Sequence, residues 1–214
     1  MALLAVFPMS PCSGQEPSTP PRPPAGAQKS SAGPQKSAAT NTAGKPRAGS
    51  GLALLFGTGR LVLSHRSKEL AIQVQSEARF IQIQKAAGSV VSPGAPELIA
   101  SLQTLPKKIN AYIAELDAFT STPTAEQRAA LLPHLIRAFE DLKDKARTLS
   151  DACSAAQKAN LRRLQSHYSD NLSNWGQSLS RLSMALTDAL SDFLDFQQHT
   201  ESTFKLAVSP ESDK

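Results

Sequence analysis

The chain has 214 residues, of which 5% are aromatic and 19% charged, a balance that fits long helices better than a thick globular core. Its net charge of +5 lies almost wholly in the first fifty residues, where five Lys or Arg face one acid, Glu16. The remainder is near neutral, so nucleic-acid binding by the folded part is not expected.

Residues 1–50 read as a disordered, low-complexity tail. Nine of the fifteen prolines lie there, mixed with Ser, Thr, Gly, Ala and Gln. Such a stretch cannot bury enough apolar area to offset the entropy of ordering it. The start, Met1–Phe7, is apolar but has no preceding positive charge, so a cleaved signal peptide is not expected. The next apolar run, Leu52–Leu63, contains Arg60 and falls well short of the roughly twenty residues of a membrane-spanning helix.

A first helix is expected over 51–87, with Leu52, Phe56, Leu63, Leu70, Val74 and Ile81 along one stripe. Gly57 and Gly59 weaken its opening turns. Pro93, Gly94 and Pro96 end it in a loop. A second helix follows over 97–119, and Pro106 should kink or divide it. Thr124, with Gln127 three residues on, makes a capping box that starts a third helix. No breaker follows Pro133 for a long way, so this helix is expected to run over 125–205. Leu135, Phe139, Leu142, Ala146, Leu149, Cys153 and Ala156 give it one seam. The seam slips around Asn160–Leu164, which either unwinds a supercoil locally or marks a joint between two helices.

Beyond the slip comes the most regular pattern in the chain. Tyr168, Leu172, Trp175, Leu179, Leu182, Leu186, Ala189, Phe193 and Phe196 alternate at steps of four and three, with polar residues between them. That spacing draws a narrow apolar stripe down one helix, which must be covered by another helix. The fold class is therefore all-α, a long coiled-coil hairpin or bundle behind the Pro-rich tail. The stripe is the candidate interface, with the Leu52–Ile81 stripe as its candidate partner within the same chain. Tyr168 and Trp175 are the candidate aromatic anchors.

Catalytic chemistry is not expected. His65, His134, His167 and His199 stand singly, without carboxylates or cysteines at metal-ligand spacing. Gly57-Thr58-Gly59-Arg60 lacks the Lys-Ser/Thr ending of a phosphate loop. Cys12 and Cys153 lie in dissimilar surroundings, so a disulfide between them is not expected and Cys153 reads as a small buried hydrophobe. No metal or cofactor is expected.

Two stretches resemble the EspA/SseB-like filament proteins of bacterial type III secretion: Gly51–Phe56 running through Arg66–Leu70, and Leu164–Ser169 running through Leu179–Leu182. The resemblance implies a secreted, uncleaved, self-assembling component of a filament or tip, whose terminal helices pack as a coiled-coil hairpin. It also implies a homo-oligomer and a dedicated cytosolic chaperone that covers the stripe before export. On that reading the double substitution Leu182→Asp/Leu186→Asp abolishes assembly. The rival readings are an intracellular, cytoplasmic coiled-coil subunit of a tethering or cytoskeletal complex, and an amphipathic protein on lipid or granules.

Overall fold

A computed structural model describes residues 49–89 and 91–210. These belong to one compact unit. The expected tail lies outside the described residues, except that Gly49 and Ser50 open the first helix. The described residues form six helices in order: α1 (Gly49–Leu55), α2 (Gly57–Ala86), α3 (Ala95–Leu102), α4 (Thr104–Ser121), α5 (Ala125–Ser166) and α6 (Asp170–Ala207). The protein is all-α, as its composition and periodicity indicate.

Three expected helices are each split in two, for different reasons. The first breaks at Phe56, whose ring turns inward against Phe119 and Phe204 with centroids 6.2 and 4.9 Å away. The second breaks at Gln103. Pro106 inside a continuous helix would clash with the Leu102 carbonyl and leave it unbonded, so the chain restarts and places Pro106 in the first turn of α4, where no N–H is needed. The third break corrects the expected helix over 125–205. The chain reverses at His167–Ser169 into two antiparallel helices, and α5 passes straight through an exposed Pro133.

The helices form an up-down-up-down bundle, and paired residues along each helix fix the directions. From α2 to α6 the contacts run Arg66 to Asp192, Glu77 to Arg181 and Gln84 to Asn171, so these helices are antiparallel. From α5 to α6 they run Lys143 to Gln197, Gln157 to Ser180 and Asn160 to Leu172, again antiparallel. Helix α4 lies between α2 and α5, bonded to the first through Arg60–Asp117 and packed on the second through Tyr112–Phe139. Helix α3 adds a short segment ahead of α4 and packs on both α2 and α5. The apolar stripes of all these helices meet in one core.

Close approach explains one glycine that looked like a weak point. A Cβ on Gly59 would stand 2.6 Å from the Phe196 ring, nearer than van der Waals contact permits. Gly59 lets α2 pass directly over Phe196, where any side chain would make the ring or the helix shift.

Candidate functional site

The apolar stripe of α6 faces the interior of the bundle. Trp175, Leu179, Leu182, Leu186, Ala189, Phe193 and Phe196 are all buried, Leu179, Leu186, Ala189 and Phe193 completely. Their cover comes from the same chain, chiefly from α5 and α2. Phe193 and Phe196 pack edge-on or tilted against Phe139 of α5, with ring centroids 6.0 and 5.1 Å away, and Phe196 also meets Tyr112 of α4. Leu172 is half-buried. Tyr168 departs from the expected stripe: it sits in the turn before α6 and is 70% exposed, its hydroxyl 3.3 Å from Asp170. Its helical phase is lost because the helix has not yet begun.

All six candidate partner residues are also buried: Leu52 on α1, Phe56 between α1 and α2, and Leu63, Leu70, Val74 and Ile81 on α2. The four on α2 lie on a helix packed against α6, and Phe56 meets Phe204 of α6, whereas α1, which carries Leu52, packs on α4 and α2. Even so, α5 is the larger partner of α6, and the Leu135–Cys153 seam of α5 closes most of the stripe. The slip near Asn160 is the end of that seam. Asn160 is its last buried residue; its Nδ2 donates to the Leu172 carbonyl, its Oδ1 has no hydrogen-bond partner, and Gly176 leaves it room. Residues that sequence reading missed include Ser169, the N-cap of α6, whose side chain accepts from the Leu172 N–H at 3.3 Å. Ser169-Asp170 is a legible helix start, but no Gly or Pro before it announces a helix end.

Polar contacts tie the helices to one another, some at the surface and some buried. Arg66 is held between Asp192, at 2.6 Å, and Glu69, at 3.0 Å. Burial alone would lower its pKa, but the hydrogen bond to Asp192 and the nearby carboxylates outweigh it and leave the guanidinium firmly charged. Glu77, almost fully buried, accepts from both Arg181 and Gln73. Lys143, likewise buried, donates to Gln197 and lies over the Phe139 ring. Among the described residues, no group of three or more His, Cys, Asp or Glu lies where it could hold a metal ion. No described helix is long and apolar enough to cross a membrane.

An apolar groove of about 340 Å³ runs between the start of α5 and the end of α6 and is lined by Ile136, Phe139, Phe196, Phe204 and Val208. Its polar rim is spent on local pairs, Lys205 with Glu201 at 2.9 Å and the Thr200 hydroxyl with the Phe196 carbonyl. Such a rim offers no convergent acid, base or nucleophile.

Two buried protons report on the core. Burial pushes the Cys153 thiol up from 9.0 to about 11, and burial beside Glu115 pushes the Tyr112 hydroxyl up further still. Both groups are held neutral in the fold, so their stabilising contribution is complete below their unfolded values near 9 and 10. It is lost as pH rises through the folded values. Urea midpoints should therefore hold steady from pH 7 to 8 and fall between pH 9 and 11. A flat profile across that range would show that neither group is buried as described. Comparison with known protein families, characterised proteins and solved structures finds no match for this chain.

Proposed function

We propose that this protein is non-enzymatic and acts through contact with other protein, as a self-assembling component of the secreted-filament type that the stretches 51–70 and 164–182 resemble. The α6 stripe is occupied within the monomer, so assembly of closed bundles must use other surface. The observation that carries this reading is the apolar end of α1 and α2. Leu54, Leu55 and Leu61 are 80%, 53% and 66% exposed within one short stretch. Leucines standing in water at that density are what a protein contact covers.

The triple substitution Leu54→Asp/Leu55→Asp/Leu61→Asp should eliminate higher-order species in sedimentation velocity. Helicity and melting temperature should stay close to wild type, because none of the three side chains is in the core. Oligomers that persist unchanged in the triple variant, or a wild type that stays monomeric at every concentration, would overturn the reading. Export is a separate arm: the intact chain should reach the culture medium only while the export ATPase works.

A further inference from the structure

We infer that α6 is an exchangeable element: the α5–α6 hairpin opens at His167–Ser169, and α6 passes into the bundle of a second copy of the chain. His167 and Tyr168 are exposed and Ser169 is only half-buried, so no side chain of the turn is anchored in the core. Its extended conformation is set locally. The Ser169 side chain caps α6, the Ser166 hydroxyl donates to the Arg163 carbonyl, and Tyr168 reaches Asp170.

Nothing in the covalent chain demands a reversal there. From His134 to Trp175 the sequence contains neither Gly nor Pro, and both flanking helices already run up to the turn. A helical turn at His167–Ser169 would join α5 and α6 into one rod over 125–207, about 125 Å long at 1.5 Å per residue. The contacts α6 makes with α2, α4 and α5 would re-form on the second copy without change, including Glu77–Arg181 and Arg66–Asp192. Closed monomer and exchanged dimer therefore differ mainly in the two hinges and in the entropy of association. Beside the hinge the buried Asn160 Oδ1 goes without a partner, so transient opening gains that atom a water while costing the Asn160–Leu172 bond, which re-forms on exchange.

The hinge lies at the end of the bundle opposite Leu54, Leu55 and Leu61, so this inference does not depend on the proposed assembly surface. The test uses the full chain with Cys12→Ser, leaving Cys153 buried. His167→Ala/Tyr168→Ala/Ser169→Ala removes the cap and supplies better helix formers. With two hinges changed per dimer, it should tighten dimerisation at least a hundredfold. Reporter cysteines replace a pair in contact across α5 and α6, Gln157→Cys and Ser180→Cys, whose native side chains are 2.9 Å apart, and are joined by a short bis-maleimide. The alanine variant should have dimer mass by light scattering and run as a covalent dimer under denaturing conditions. Wild type should cross-link mostly within one chain, and two glycines inserted after Tyr168 should abolish the covalent dimer. A dimer whose cross-links stay within single chains would be a pair of closed bundles and would overturn the exchange. So would an alanine variant that remains monomeric at millimolar concentration.

Discussion

Leu182→Asp/Leu186→Asp should yield no folded protein at all. Both leucines are essentially inaccessible, at 1% and 0% exposure, with α6 packed against α5 and α2. Each substitution forfeits about 1.5–3 kcal/mol of apolar burial and adds the cost of a carboxylate taken out of water. Two such changes forfeit about 3–6 kcal/mol of burial, and desolvating two carboxylates carries the loss into the roughly 5–15 kcal/mol that holds a domain together. Circular dichroism should show the helices lost, whereas Leu182→Met/Leu186→Met, which keeps volume and apolarity, should cost less than about 1.5 kcal/mol per site. A Leu182→Asp/Leu186→Asp chain that kept native helicity and melting would refute the bundle itself. The sequence alone suggested that this substitution would block assembly; its effect now falls on the monomer, so it no longer reads out oligomerisation.

Arg128→Met should produce the largest effect of any single polar substitution. Arg128 is 1% exposed, with Nε donating to the Ala207 carbonyl at 2.6 Å and Nη1 to the Thr122 carbonyl at 2.8 Å. One guanidinium thus joins the end of α4, the first turn of α5 and the last residue of α6. Charge-assisted bonds contribute roughly 1.5–3 kcal/mol each, and the cost of burying the charge offsets part of that. A net loss of about 2–4 kcal/mol is expected, lowering the melting temperature by roughly 5–15 °C for a chain of this size. Amide exchange should accelerate first near Ala207. An unchanged melting temperature would mean that these bonds are replaced by water at no cost.

Period and composition made the class of fold readable, because a stripe at steps of four and three has one physical meaning. They also picked out the α6 residues from Trp175 to Phe196, every one of them buried. What they could not supply was the direction of the chain. A reversal without Gly or Pro leaves only Ser169-Asp170 as a trace, and a capping serine is common enough to pass unremarked. Arg128 was invisible for a related reason: a buried arginine is recognised by the carbonyls around it, which come from helix ends distant in sequence. Gly59 was misread as a local weakness because its use lies in a ring on another helix.

The buried line of α2 has a further consequence. Leu63, Ser67, Leu70, Val74, Glu77, Ile81 and Gln84 repeat so evenly that the helix could slide by one heptad, about 10.5 Å, and still offer its neighbours a plausible stripe. The three polar members remove that ambiguity. The Ser67 hydroxyl donates to the Pro106 carbonyl, Glu77 meets Arg181 and Gln84 meets Asn171. Sliding would break all three together and leave a carboxylate enclosed among hydrocarbons. Those positions act as a vernier, selecting one alignment among several that hydrophobicity alone would leave nearly equal in energy.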